Sequence, residues 1–457
     1  MARAGSPRKP RGAPLRGWRL AALAGVAGAL AVTGCSSGGG SSSSSISSAA
    51  PSATGSASGS INWWASPISS SGTDVRQVLI NAFEKQYPNI HVTLTSAPTS
   101  TDTNRATLTT DISGGSATPD VFMGDVIWPA QFGAHQLAVP LSSYLPSSYW
   151  AQFAPGLVQG ATYQGKVYGS PLFEDQGFLY YRKDLLAKEH LPVPTTWEQL
   201  ESEAMTLQKA ALVKYGFVWQ GGSYEGLTCN FTEYLTDAGG TATNSSYTKA
   251  SLDSAAAVKA ATFMRSLITS GVSPAAVTTF QEPQAMNVFA SGQAAFLRNW
   301  DYAYADSQAP GSPTIGKVGV APLPTFAGQS SPGYSTIGGW NLYINPHSQN
   351  IAADLKFIQF MASPTAQDIL SEQYSEIPTV QSVRTSPAVL AKNPVLATVP
   401  KTRLVPRPAG TPNYPALSTA IYTNINAALA GSTSPSAAMA AAQSQANSAL
   451  SSATGGL

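Results

Sequence analysis

The sequence predicts an α/β protein of two lobes, each built from strand–helix units. Three observations predict it. The 457 residues exceed the comfortable size of one hydrophobic core, so two lobes are expected. Strand and helix periodicities alternate along the chain, the pattern of βαβ units. No tandem repeat, heptad run or long internal linker breaks that alternation.

The elements follow in order. A strand starts near Asn62 and runs into WWAS. TDVRQVLINAFEKQYPN reads as a helix, because Val75, Val78, Leu79, Ala82 and Phe83 form an apolar stripe. Thr73 or Asp74 caps its start and Pro88-Asn89 stops it. IHVTL (90–94) alternates apolar and polar, as a strand does. PDVFMGD (119–125) is an apolar strand ending in a carboxylate, and KVYGSPLF (166–173) is another strand candidate. PTTWEQLESEAMTLQKAA opens with Thr195 three residues before Glu198, a capping box. DLKFIQFMASP (354–364) is a helix closed by Pro364, and the Ala-rich chain from Pro415 onward reads as helical.

Composition narrows the function. Charged residues make up 11% of the chain, against roughly 25% in an ordinary soluble protein. Without a basic surplus, nucleic acid is excluded as a partner. Two cysteines and four histidines cannot build a disulfide framework or a Cys/His zinc cluster, and no metal or cofactor is expected.

The N-terminus is a targeting segment. Arg3, Arg8, Lys9, Arg11, Arg16 and Arg19 precede the apolar run from Leu20 to Val32. That run is shorter than the about 20 residues needed to span a bilayer and fits a secretory signal. It ends in VTGC, which resembles a lipobox: Cys35 becomes the lipidated first residue after removal of 1–34. The Ser/Gly-rich linker 35–60 is a flexible tether reaching about 25–30 Å. The removed segment carries six basic residues and no acidic one, so 26 against 24 becomes 20 against 24, net −4.

Several candidate chemistries fail on their own terms. GATYQGKV (160–167) nearly spells a phosphate-binding loop, but Val167 stands where Ser or Thr must hold magnesium. Glu174 and Asp175 are adjacent on a strand and point to opposite faces, so they cannot flank one bond. No GxSxG elbow is present. His91, His135, His190 and His347 are scattered and read as structural or surface residues. Cys229 reads as a buried thiol behaving as a small hydrophobe.

Aromatic and amide clusters stand out instead. NWW (62–64), FVWQGGSYEGLTCNF (217–231), FLRNWDYAYA (296–305) and STIGGWNLYIN (335–345) set Trp or Tyr beside Asn, Gln, Asp, Glu or Gly. A sugar ring has apolar C–H faces and a rim of hydroxyls, so its site needs flat aromatic surfaces with carboxylates and amides at the edge.

These segments, with DISGGSATPDVFMGDVIWPAQFGAHQLAVPLSSYL, GKVYGSPLFEDQGFLYYRKDLL and LVPRPAGTPNYPALS, span nearly the whole chain after the linker. In that order they resemble the extracellular solute-binding proteins of bacterial ABC sugar importers (family 1, maltose-binding-like), most closely the branch binding trehalose and maltose-type disaccharides. The resemblance implies a two-lobed periplasmic-binding-protein fold, type II-like, with a ligand cleft between lobes joined by a hinge. The boundaries it suggests are 61–171 with 306–346 for the N-terminal lobe, and 172–305 with 347–457 for the C-terminal lobe.

Carried onto this chain, the motifs imply that Asp125, Asp175 and Glu225 accept hydrogen bonds from sugar hydroxyls. They imply that Trp300 and Trp340 stack on the rings with Tyr302 nearby. Gly338 and Gly339 would offer backbone donors, and Arg407 would bind hydroxyls as a planar fork. Trp64 and Ser66 are the N-terminal contacts, in a loop, WWASPISSSG, that departs from the shorter, more charged one common in the family. The implied function is capture of a neutral oligosaccharide by cleft closure and delivery to ABC permease subunits with a cytoplasmic ATPase. The implied protein is a monomeric lipoprotein on the extracellular face of the cell membrane, with no catalytic residue. Two alternatives stay open: a secreted glycoside hydrolase and a sugar-sensing or adhesive surface protein.

Overall fold

Two β-sheets organise the chain, and the polypeptide passes between them more than once. The computed structural model describes residue 53, residues 57–68 and residues 73–452. The signal segment 1–34, Cys35, most of the linker 35–60 and part of the loop after Trp64 lie outside the described residues. The strands in chain order are β1 (Gly59–Ala65), β2 (Ile90–Ser96), β3 (Val121–Asp125), the short β4 (Thr162–Tyr163) and β5 (Lys166–Val167), β6 (Ser170–Gln176), β7 (Phe178–Arg182), β8 (Tyr215–Val218), β9 (Ala294–Asn299), β10 (Val318–Ala321), β11 (Tyr334–Ile344), β12 (Ile377–Pro378) and β13 (Arg403–Val405).

The seven-stranded sheet has the order β12-β6-β11-β3-β1-β2, with β13 pairing β11. β1 runs parallel to β2 and β3, the expected βαβ arrangement, while β11 runs antiparallel to β3 and β6. The four-stranded sheet has the order β10-β7-β9-β8. The chain leaves the first sheet at Gly177, returns to it over 322–333, and leaves again over 406–413 toward the helices Tyr414–Leu429 and Pro435–Ser451.

Local sequence explains most elements. Asp74 caps the helix Val75–Gln86 by accepting from the Arg76 amide at 3.0 Å. That helix buries Val75, Leu79, Ile80 and Phe83, with Val78 and Ala82 half-buried at the edge of the face. The capping box expected at Thr195 is displaced by one residue. Thr196 is the N-cap of the helix Trp197–Lys209 and accepts from the Gln199 amide at 3.1 Å, while the Thr195 amide donates to Gln199 Oε1 at 3.0 Å. KVYGSPLF divides into β5 and β6. Pro364 does not merely close a helix: the helix Ile351–Met361 ends before it, and Pro364 opens the next one, Pro364–Tyr374, behind an N-cap at Ser363. A proline at the first helical position loses no hydrogen bond, which is why it starts a helix more readily than it ends one.

The strand pairing redraws the lobe boundaries expected from the sequence. β10, placed with 306–346, pairs with β7 at the edge of the four-stranded sheet. The helices Ile351–Met361 and Pro364–Tyr374, placed with 347–457, close over the first sheet instead. Their apolar faces dictate this: Phe357 meets Trp63 and Phe83 edge-on, each pair with ring centroids 5.1 Å apart. β6 also belongs to the first sheet as a whole, beyond the boundary at 171/172.

The first crossing runs over a buried ion pair. Arg298 donates through Nε to Glu233 Oε2 at 3.0 Å and through Nη2 to Glu233 Oε1, and both side chains are fully buried. Glu233 Oε1 also accepts from the Thr336 amide at 3.1 Å, tying β11 to the same pair. A Cβ at Gly177 would lie 2.5 Å from Arg298 Nη2 and 2.7 Å from Glu233 Oε1, so only glycine lets the crossing pass there. Among the described residues, no helix is long and apolar enough to cross a membrane.

Phe357 has no exposed surface and anchors the first core through those two ring contacts. Phe357→Ala is expected to destabilise the protein by about 3–5 kcal/mol, the cost of a large cavity in a core. Urea denaturation followed by tryptophan fluorescence measures it.

Candidate functional site

A cavity of about 260 Å³ opens between the two sheets. One wall comes from strand ends of the first sheet: Met123 and Asp125 of β3, Phe173 and Asp175 of β6, and Gly338, Gly339 and Trp340 of β11. The facing wall comes from the start of the helix Glu225–Asp237 and from Trp300 and Tyr302 just beyond β9. Ser66 and Arg407 also line it. Of the residues expected from the sequence to contact a ligand, Trp64 is the exception. Its Nε1 donates to Asn104 Oδ1 at 2.7 Å, and its ring packs against the larger core rather than lining the cavity.

Arg407 does not present a free fork. Its Nη2 and Nη1 donate to Asp125 Oδ1 at 2.6 Å and Oδ2 at 3.0 Å, and Nη1 also reaches Glu225 Oε1 at 2.9 Å. The planar guanidinium thus clasps two carboxylates from opposite walls, the bidentate geometry that arginine favours. Arg407 Nε is buried without a protein partner and remains as its donor.

Glu225 is held further. Ser418 Oγ donates to Oε2, Tyr414 donates to Oε1, and the Glu225 amide donates to Asp102 Oδ2 at 2.9 Å. Burial pushes the Glu225 carboxyl up to about 7; Arg407 opposes the rise, while Asp102 and Asp125 add to it.

Asp175 belongs to a second acidic group. Carboxyl oxygens of Asp175, Asp301 and Glu376 lie within 4.8 Å of one another, and all three residues are buried. Asp301 Oδ2 accepts from the Ile377 amide at 2.7 Å. Burial pushes Asp175 up to about 7. It raises Asp301 and Glu376 well above the carboxylate range, reinforced by Asp175 beside Asp301 and by Asp301 beside Glu376. Carboxyls this close cannot all be ionised, which is why burial and mutual repulsion raise all three. Glu174, on the opposite face of β6, pairs with Arg384 at 2.6 Å, as adjacent strand positions require.

The aromatic platforms are rigidly backed. Trp300 donates through Nε1 to Glu282 Oε1 at 3.3 Å, and the Arg298 guanidinium sits 4.0 Å from its ring centroid. A Cβ at Gly338 would lie 2.9 Å from Asp175 Cβ and 3.1 Å from Trp300 Cζ3, so glycine there lets strand, carboxylate and ring converge. Trp340 is half-buried and meets Trp128 edge-on. The Gly339 carbonyl accepts from the Val126 amide at 3.1 Å, which fixes the end of β3 beside it.

The structure adds residues that the sequence reading passed over. Phe173, Glu282 and Glu376 line the cavity, and Asp301 lies beside Trp300 in RNWDY. The pairing of Asp301 with Trp300 was visible in the sequence. Glu376 sits in YSEIP, outside the aromatic and amide clusters that mark the other segments. Cys229 is buried and also borders the cavity; burial pushes its thiol well above the ordinary range, which leaves it inert.

A cleft between two α/β lobes, walled by aromatic faces and hydrogen-bonding carboxylates, is the architecture of a ligand-capturing protein. The chain belongs to the bacterial extracellular solute-binding proteins: the family model so described matches residues 66–368. A probable ABC transporter-binding protein of Deinococcus radiodurans is 35% identical over 325 residues, covering 70% of this chain and 76% of that protein. Among solved structures, maltose-bound MalE3 of T. maritima superposes with a TM-score of 0.79 at 34% identity, covering 85% of this chain and 98% of that one. A solute-binding protein from Thermotoga lettingae bound with alpha-D-tagatose gives a TM-score of 0.78 at 25% identity, covering 86% of this chain and 100% of that one.

The buried carboxyls make a pH prediction. In the unfolded chain they titrate near 4, whereas folded Asp175 and Glu225 titrate at about 7 and Asp354, also raised by burial, at about 8. The folded state therefore binds more protons between those limits. The resulting stability is full below about pH 4 and is lost progressively as pH rises from there through about 7–8. The melting temperature is expected to be higher at about pH 5.5 than at about pH 8, as differential scanning calorimetry would read; the reverse order would refute the assignment.

Proposed function

We propose that this solute-binding protein of an ABC importer captures a neutral oligosaccharide, with a maltose- or trehalose-type disaccharide as the favoured ligand, and performs no chemistry on it. The observation that carries the reading is the clasp of Arg407 on Asp125 and Glu225 beside Trp300 and Trp340. The arginine lining the cavity is already neutralised, so an anionic ligand finds no free cation there. Carboxylates whose lone pairs remain open and flat indole faces suit hydroxyls and C–H surfaces. The maltose-bound protein of T. maritima supports the ligand class, and the tagatose-bound protein shows how widely a similar fold is used.

The two sheets are the moving lobes in this reading, with Gly177, 322–333 and 406–413 as the hinge. Sugar touching both walls favours the closed form through contacts that the open form lacks. The closed monomer then docks on permease subunits driven by a cytoplasmic ATPase. The signal segment, Cys35 and the polar linker fit a lipid-anchored protein on the extracellular face of the membrane.

Isothermal titration calorimetry of the purified full-length protein against maltose, trehalose, sucrose and longer glucans tests the ligand class. Binding of a disaccharide with no hydrolysis product is expected, and product release would favour a glycoside hydrolase instead. Trp300→Ala and Trp340→Ala are each expected to weaken binding by about 1–2 kcal/mol, the scale of a lost buried aromatic contact; unchanged affinity in both would remove them from the site. Cys35→Ala is expected to shift the protein from the membrane fraction to the soluble fraction on cell fractionation, and retention in the membrane would rule out the lipid anchor.

A further inference from the structure

The helix Glu225–Asp237 starts without a cap of its own. Its N-cap residue is Tyr224, which makes no side-chain cap hydrogen bond. The first amides of a helix need acceptors, and an anion there is also favoured by the helix dipole. Here the acceptor comes from elsewhere: Asp102 Oδ2 accepts from the Glu225 amide at 2.9 Å.

Asp102 belongs to the other wall. It sits in the first turn of the helix Thr101–Ser113, which has its own cap at Ser100 and lies in the crossover from β2 to β3 of the seven-stranded sheet. Two bonds fasten that helix to the sheet: Asn104 accepts from Trp64 Nε1 at 2.7 Å and donates to Ser66 Oγ at 3.3 Å. The capped helix follows β8 of the four-stranded sheet. One short side chain on one lobe thus completes a helix start on the other, 123 residues later in sequence.

We infer that Asp102 is a closure-determining residue: its carboxylate supplies the missing cap of the helix Glu225–Asp237 only when the cleft is shut, and so sets how tightly a bound solute is retained. The inference rests on the reading of the two sheets as lobes that close on a ligand. Opening the cleft separates Asp102 from the Glu225 amide and leaves that amide to water, beside a Glu225 carboxylate also released from the clasp. Burial raises the Asp102 carboxyl above its ordinary value; the Glu225 amide, Arg105 and Arg407 oppose the rise and Asp125 adds to it, with Tyr422 also nearby.

Asp102→Ala in the full-length protein is expected to raise the Kd for maltose about fivefold, the scale of a lost helix cap, mostly through faster dissociation in stopped-flow tryptophan fluorescence. Asp102→Asn keeps an acceptor and should stay within about twofold of wild type, as should Asp111→Ala on the exposed face of the same helix. In hydrogen exchange, amides 224–228 of Asp102→Ala should exchange faster than those of wild type. If wild type binds maltose and Asp102→Ala matches it in Kd, dissociation rate and exchange, the latch is overturned. If wild type does not bind maltose, the exchange comparison is made on protein bound to the trehalose, sucrose or glucan that wild type does bind: faster exchange at 224–228 in Asp102→Ala supports the latch and equal exchange overturns it. If wild type binds none of these sugars, the proposed ligand class fails, a result distinct from equal exchange, and the latch is overturned with it.

Discussion

Arg407 is the group on which the rest of the site depends. It lies between the end of β3 and the start of the helix Glu225–Asp237, buried with both carboxylates it binds. A charge taken out of water needs geometry close enough to offset its lost hydration, and removing one partner of such a pair is costly. That requirement fixes the spacing of the two walls. Asp125 must end its strand where the guanidinium reaches it, and Glu225 must open its helix at the opposite edge. Tyr414 and Ser418 then hold Glu225 from the next helix, so the C-terminal helices are tied into the same arrangement.

A second buried ion pair organises the hinge side. Glu233 is two turns further along the helix that Glu225 begins, and it grips Arg298, which lies under the Trp300 ring, together with the Thr336 amide of β11. One helix therefore carries both acidic anchors. Through Glu225 it reaches the far wall, and through Glu233 it supports the aromatic floor and the strand that supplies Gly338 and Trp340. These two clasps take up Arg407 and Arg298, and the carboxyls of Asp175, Asp301 and Glu376 are left without a cation among the described residues, as hydrogen-bonding groups, which suits a ligand recognised by shape and hydroxyls.

Much of this was legible in the sequence. The alternation of strand and helix, the cap at Asp74, and the aromatic clusters around Trp300 and Trp340 are local patterns, set within a few residues of each other. Those clusters were readable because their aromatic and polar groups happen to be neighbours in the chain as well as in space. Trp64 misled because an indole beside a polar residue looks the same whether its N–H faces a ligand or Asn104. Glu376 and Asp102 were missed because each does its work with partners far away in sequence.

By itself the sequence determined the α/β class, the family, and most of the residues that meet at the cleft. Those features rest on periodicity, composition and short motifs, which one stretch of chain specifies alone. Only the tertiary structure decided that Arg407 is spent on Asp125 and Glu225 and that Asp175 is buried beside Asp301 and Glu376. It also decided which sheet receives β10 and the helices after β11. The reason is electrostatic and steric: the state of a buried charge depends on every group within a few ångströms, and a helix joins whichever sheet offers its apolar face the better fit. Neither quantity is written in the order of the residues.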